Sequence, residues 1–495
     1  MYLNYSTNLP QQAYSPQQLR ENEAHAAKHC GISMTELMAT AGGAVAAWVQ
    51  AHYANNQRVL VLVGSGNNGG DGFVVAEQLR RAGYSVQVWP LLSLAHLGSD
   101  AKEMMQRYKN GGGECVAKPN LHQFELIIDG VFGIGLDRPL SPELQDTFTH
   151  LNELRAVRIA IDVPSGVNAT SGEVYPGAFA AHHTLTFIGL KQGMLTGRAK
   201  AQCGLLWFAP LGVDQAFAHI CMPKARRLIH DEMMRKRPQR QPCAHKNNAG
   251  HVLVIGGGPG MAGAARLASE AALRCGAGLV SVATHPENVM AVLQGRFELM
   301  VHGVETQEQL MPLIDKASVL VVGPGLGQRQ WAQTLLQQVL KQGKDKVKVL
   351  DADALNLLAQ NPQELEKAVL TPHPKEAARL LNTSVAEVEA NRFAALTELV
   401  KHYRATALLK GPGTLIACEQ RLWINSSGSE VLASAGMGDV LSGIIAALLA
   451  QGLSAQDATC LGAYLHGFAA EQAAAQGGKG LLASDLFPVL RALVG

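Results

Sequence analysis

Short apolar runs, each bounded by glycine or a polar turn, alternate with stretches of helical spacing along nearly the whole chain. Those at 58–63, 125–128 and 157–161 lie in the first half; those at 252–255, 279–283, 318–322, 347–350, 407–409 and 415–417 lie in the second. Runs this short suit strands buried on both faces, and the helical stretches supply the crossovers that parallel strands require. The expected class is α/β, with two doubly wound domains. Residues 1–57 read as mainly helical packing segments. Between the halves, residues 222–250 gather lysines and arginines among prolines and asparagines, the composition of a solvated linker with room for a short helix at 228–234. The domains expected are 1–225 and 226–495.

The first half carries polar residues where its strands end. The run 58–63 leads into Gly64-Ser65-Gly66-Asn67-Asn68-Gly69-Gly70-Asp71-Gly72, then a helix expected at 73–81. This contains G-x-G-x-x-G between strand and helix, the setting of a phosphate-binding loop. The acidic residue that would hold an NAD ribose about 20 positions later is missing, since no Asp or Glu occurs between Glu77 and Asp100. Two further strands end at Asp129 and Asp162. Ligands of parallel sheets sit beyond the carboxyl ends of the strands, so Asn68, Asp129 and Asp162 form a constellation. Oxygens of Asn68, Asp129 and the Ser165 region suit a hard cation, leaving Asp162 for proton transfer.

In the second half the helix expected at 440–450 is preceded by Gly436-Met437-Gly438-Asp439. Glycines at a helix start let an anion reach free backbone N–H groups at the positive end of the dipole. An aspartate there is either an N-cap or the base that takes a hydroxyl proton while the amides hold a transferring phosphoryl group. A net charge of +2 points to no nucleic-acid partner. Eight scattered cysteines with no C-x-x-C, no basic-then-apolar leader and no run approaching about 18 apolar residues suggest a reduced, cytoplasmic protein outside the membrane.

These motifs carry a family resemblance. GSGNNGGDG (64–72), DGVFGIGLDRP (129–139) and DVPSGV (162–167) resemble the Rossmann-like epimerase domain of NAD(P)H-hydrate repair proteins. One departure is Ala39 after Leu37-Met38, where relatives often carry an acid. GPGLG, DADALN, LTPHPKE, KGPGT and SAGMGDVLSG, in that order, resemble the ribokinase-like ADP/ATP-dependent NAD(P)H-hydrate dehydratases. The resemblance implies a bifunctional isomerase and lyase acting on hydrated NADH and NADPH. ADP with Mg2+ would be the phosphoryl donor, K+ the epimerase ion, and the assembly a homo-oligomer.

It further implies substrate contacts at Asn67, Asn68, Gly69, Gly70, Asp71, Gly133, Ile134, Gly135, Leu136, Asp137, Arg138, Pro139 and Asp162. K+ would sit on Asn68, Asp129 and Ser165. In the second half Ala262, Gly325, His373 and Asp439 would meet the hydrate; Lys410, Gly411, Pro412, Gly413, Thr414 and Gly438 would hold the nucleotide. Asp162 and Asp439 would be catalytic. Apart from the resemblance, Asp351 and Asp353 fit hydrogen-bonding groups behind the site as an alternative to a direct role. The alternative is a small-molecule kinase of ribokinase type fused to a nucleotide-binding interaction module, which would leave its product phosphorylated.

Overall fold

The computed structural model describes residues 5–495. The chain forms two compact units that divide between Arg226 and Arg227. Among the described residues no single helix is long and apolar enough to cross a membrane.

In the first unit six parallel strands run in the order Ser85–Pro90, Arg58–Val63, Leu126–Gly130, Val157–Ile161, His183–Phe187, Leu205–Ala209. The strand direction of travel reverses between Arg58–Val63 and Leu126–Gly130, which opens a crevice at their carboxyl ends. The helices Pro16–His29 and Met34–His52 start on Ser15 and Ser33, each in a capping box with the residue three positions on. They pack Leu19, Leu37, Met38 and Trp48 into the core. A short strand, Gln12–Tyr14, pairs parallel with Leu190–Lys191, an element absent from the sequence reading. The stretch 64–72 is not a plain loop: its helix begins at Asn67, six residues earlier than expected, with Gly66 as N-cap.

The second unit orders its strands Met300–Gly303, Leu279–Thr284, His251–Ile255, Val319–Val322, Val347–Leu350, Ala368–Leu370, Thr406–Leu409, then the antiparallel pair Thr414–Cys418 and Arg421–Asn425. Its switch lies between His251–Ile255 and Val319–Val322. The expected linker is partly structured. Residues His230–Arg235 form a helix, Lys236 bonds Asp457 at 2.7 Å, and Arg237 donates to the Leu493 carbonyl at 2.6 Å. Long basic side chains there find partners that composition does not reveal.

Helix Met437–Ala450 forms the centre of this unit's core: Val440 and Ile444 are fully buried and Leu448 nearly so. It lies against the small-residue helix Ala262–Arg274, and the approach is close because position 443 has no side chain. A Cβ there would stand 2.1 Å from the Ala268 carbonyl oxygen. Gly443→Ala is therefore expected to cost about 1–3 kcal/mol by overpacking, read as a lowered melting temperature. An unchanged melt would show that the two helices separate freely.

Candidate active sites

The first site is a cavity of about 390 Å³ at the strand-order switch. Ser65 to Asn68 and Asp71 line one wall, Val131 to Leu136 another, and Asp162, Phe187, Ile188 and Lys191 the floor. The N-terminal helices close it with Leu19, Arg20, Glu23, Met34, Leu37 and Met38. Of the expected substrate residues, Asn67, Asn68, Asp71, Gly133, Ile134, Gly135, Leu136 and Asp162 meet in this wall. Gly69 and Gly70 do not: Cβ atoms there would stand 2.2 Å from the Gly64 carbonyl and 2.5 Å from Met38 Sδ, so these glycines permit packing. Asp137, Arg138 and Pro139 are exposed and outside the wall.

Asp162 sits at φ 63°, a left-handed conformation that aspartate tolerates better than most residues. Its Oδ1 accepts from Thr186 Oγ1 at 3.0 Å and the Phe187 N–H at 3.2 Å, and forms an ion pair with Lys191. The buried Lys191 ammonium also donates to Thr186 Oγ1 and the Phe187 carbonyl, both at 3.0 Å. One oxygen of Asp162 is thus saturated and fixed, and the other takes none of these bonds. Burial, then the charge of Asp162, raises the carboxyls of Glu23 and Asp71 above their usual range, Asp71 well above it. Glu23 and Asp71 therefore hold a proton more tightly than ordinary carboxyls do, beside the Asp162–Lys191 pair. Lys191 and Glu23 were missed in the sequence.

Asn68, Asp129 and Ser165 come together in one network. Ser165 donates to Asp129 from its hydroxyl and its N–H, each at 2.7 Å, and Val131 N–H adds a bond at 3.1 Å. Ser165 Oγ accepts from Phe132 N–H at 2.9 Å, and Asn68 Nδ2 donates to the Phe132 carbonyl at 2.9 Å. Asp129 is fully buried, and burial pushes its carboxyl up to about 6. Its hydrogen-bond partners are neutral donors, with no cationic side chain paired to it among the described residues. An oxygen-only donor set around a buried carboxylate fits a hard or alkali cation and does not fit zinc.

The second site gathers at the other switch. The glycine-rich loops bind each other, Gly257 N–H to the Pro324 carbonyl at 2.9 Å and Gly258 N–H to that of Gly325 at 2.7 Å. This sets Gly325 against Met261 and Ala264, at the start of the helix whose first residue is Ala262. Asp353 holds the same loop through Gly327 N–H at 2.8 Å. Lys410 emerges from strand Thr406–Leu409 and bonds Asp351 at 2.9 Å, with Glu376 3.9 Å away. The turn that follows is closed by Thr414 Oγ1 donating to the Gly411 carbonyl at 2.9 Å. Buried Arg392 supports it through the Lys410 carbonyl at 3.0 Å. A Cβ at Gly438 would lie 3.4 Å from Lys410 Nζ, which puts the helix start against the lysine.

Gly436, at φ 83°, is the N-cap of helix Met437–Ala450, so Asp439 is not a cap but lies inside the first turn. Its carboxylate takes no protein hydrogen bond among the described residues. Burial, then the charge of Asp351, pushes it up to about 7 against the opposing pull of Lys410. A carboxylate tuned close to neutrality is well matched to general-base work. His373 serves as a cap: Nδ1 accepts from the Lys375 and Glu376 N–H groups at 3.1 and 3.3 Å. Burial, then Lys410, lowers its proton affinity, while Nε2 stays on the side of Glu376 at 3.4 Å. Ala352, between the two aspartates, has φ 48° and ψ −118°. A side chain in so sparse a region costs about 1–3 kcal/mol, a cost met where the surroundings over-determine the turn.

Comparison with known proteins agrees with this division. Residues 34–193 match the family described as YjeF-related protein N-terminus, and residues 252–491 the family described as NAD(P)H-hydrate dehydratase. The bifunctional NAD(P)H-hydrate repair enzyme Nnr of Coxiella burnetii is 42% identical over 492 residues, spanning 97% of this chain and 99% of that protein. That of Escherichia coli is 41% identical over 491 residues, spanning 98% and 95%. Among solved structures, the ADP/ATP-dependent NAD(P)H-hydrate dehydratase of Bacillus subtilis, co-crystallised with ATP and Mg2+, is 27% identical with a TM-score of 0.50. It matches 55% of this chain and 98% of its own. A ribokinase-like protein of Enterococcus faecalis is 30% identical with a TM-score of 0.51, over 54% and 95%. With two family matches in chain order and full-length relatives above 40% identity, the chain belongs to the bifunctional NAD(P)H-hydrate repair enzymes.

Proposed function

We propose that the first unit interconverts the R and S hydrates of NADH and NADPH through Asp162, and that the second dehydrates the S hydrate through Asp439 at the expense of ADP. The observation that carries the reading is Asp439 itself. It is a carboxylate without protein hydrogen bonds among the described residues, in the first turn of a 14-residue helix, beside Lys410.

In the hydrate, a hydroxyl sits on the ring carbon next to the ring nitrogen, and hydroxide is a poor leaving group. Asp439 takes the hydroxyl proton as the oxygen attacks the terminal phosphorus of the donor. The N–H groups of the first turn and Lys410 hold the transferring phosphoryl. Phosphate then departs with the push of the ring nitrogen, and loss of the neighbouring ring proton restores NAD(P)H, with AMP as the other product. Mg2+ would travel with the nucleotide phosphates and neutralise their charge.

In the first unit Asp162, fixed through Oδ1, presents Oδ2 to the hydroxyl proton, which assists ring opening and closure on the other face. Asn68, Asp129 and Ser165 would hold K+, whose charge would compensate that of Asp129. Epimerisation is expected to survive divalent chelators and to fall several-fold when K+ is replaced by a bulky organic cation. Collapse with chelator and recovery with zinc would contradict this assignment.

Chemically hydrated NADH, as separate epimers, incubated with ADP or ATP and followed by NADH absorbance, tests the whole reading. ADP is expected to support recovery and ATP to do so poorly. Fusion of the two units does not by itself decide the donor, since the Leishmania braziliensis enzyme, 38% identical, spans both as well. A clear preference for ATP would overturn the donor assignment. A product that keeps its phosphate would favour the small-molecule kinase.

A further inference from the structure

We propose that Asp351 is a positioning residue of the dehydratase site, fixing Lys410 against the first turn that bears Asp439 and setting the charge balance around that carboxylate. The inference rests on the reading of Asp439 as the base.

Asp351 is 1% exposed, and both of its oxygens are engaged by the protein. Oδ1 takes Lys410 Nζ at 2.9 Å; Oδ2 takes the Ser442 hydroxyl at 2.8 Å. Ser442 lies three residues beyond Asp439 on the same helix, hence nearly the same face. One carboxylate therefore ties the ends of strands Val347–Leu350 and Thr406–Leu409 to the helix that carries the base. Bonded through both oxygens and almost fully buried, Asp351 faces the protein rather than a substrate. The strained Ala352 backbone aims it and Asp353 in opposite directions, one at the lysine and helix, the other at the Gly327 loop.

The charges facing Asp439 are Asp351, Asp353 and Lys410. Around Lys410 stand Asp351, Glu376 and Asp439, together with His466, whose own proton affinity burial, then Lys410, drives down to about 4. His373 lies against Glu376 on the outer side. Without Asp351, Lys410 would lose its closest counter-charge and turn toward Asp439 or the donor phosphates. Asp439 would then hold its proton less tightly and be a weaker base.

The test is the pH profile of S-hydrate dehydration in Asp351→Asn, Ser442→Ala and Asp351→Glu. Base catalysis by Asp439 gives an acid limb, because activity falls as the carboxylate is protonated. In Asp351→Asn that limb should move down by about one pH unit or more. The plateau kcat should fall about tenfold or more, with KM for ADP unchanged or lower. Ser442→Ala keeps both charges, so its limb should stay in place. Asp351→Glu also keeps the charge but displaces it; kcat should fall with the limb unmoved, a result still readable if the asparagine variant does not fold. An unmoved limb in folded Asp351→Asn, or a limb that moves in Asp351→Glu, overturns the proposal. Should Asp439→Asn still make NADH, the reading of the base fails instead, whatever Asp351 does.

Discussion

Asp439→Asn is expected to stop NADH recovery from both hydrates while leaving their interconversion intact. General acid–base catalysis by one carboxylate contributes about 10²–10⁴-fold in rate, and this is the loss to be read in kcat. The variant should fold. Asn is nearly isosteric, and Asp439 has no protein hydrogen bond to lose among the described residues. Its carboxyl is pushed up to about 7 by burial, so the folded protein binds this proton more tightly than the unfolded chain does. Stability from this group is therefore lost as pH rises from about 4, the ordinary carboxylate range, towards 7. Asn carries no such penalty, so the variant's melting temperature at pH 8 should match or exceed that of the unmodified protein. Steady-state assays on each epimer with a melt alongside check both statements, and NADH formation at an unreduced rate would remove the phosphoryl-transfer mechanism.

Asp162→Asn should leave the S hydrate fully repairable and strand the R hydrate. Here the environment is a strong ion pair rather than an open carboxylate: the substitution removes the carboxylate that Lys191 bonds directly and leaves it two neutral hydrogen-bond partners. A loss of stability should accompany the loss of activity, because breaking a buried ion pair from one side is costly. The kinetic signature is separate from stability. A mixture of epimers should recover quickly to its S fraction and then stall, apart from slow spontaneous epimerisation. Chromatography of the two epimers against time reads the plateau directly. Repair of the R form at the unmodified rate would remove the first unit from the pathway.

The strands most readable in the sequence are those whose interior carries at most one polar residue. Arg58–Val63 has none, and the single Lys348 and Arg158 leave Val347–Leu350 and Val157–Ile161 readable to the residue. His183–Phe187 was not, because Thr184 and Thr186 interrupt its apolar pattern while lying fully buried. Their hydroxyls have partners only in three dimensions, Cys203 for one and Asp162 for the other. Site residues divide in the same way. Asp162, Asp129 and Asp439 stand where strands or glycine turns end, a position with a chemical meaning in this fold class. Lys191 lies 29 residues from Asp162, and a buried lysine there has no local pattern to announce it. Glu23 sits on an amphipathic helix, where an acid reads as part of the solvent face. The helix start at Met437 also differs from the pattern, since Met437 and Gly438 fit a turn as well as a first turn of helix.

The central claim is that two sites in one chain act in sequence on one substrate, and mixing the two inactive variants tests it. Pure R hydrate is supplied with ADP and with Asp162→Asn alone, Asp439→Asn alone, or both proteins together, and NADH absorbance is followed. Neither variant alone should restore NADH beyond the spontaneous rate, whereas the mixture should, since each protein supplies the step the other lacks. Recovery by either variant alone, or none from the mixture when both are folded, would contradict the account.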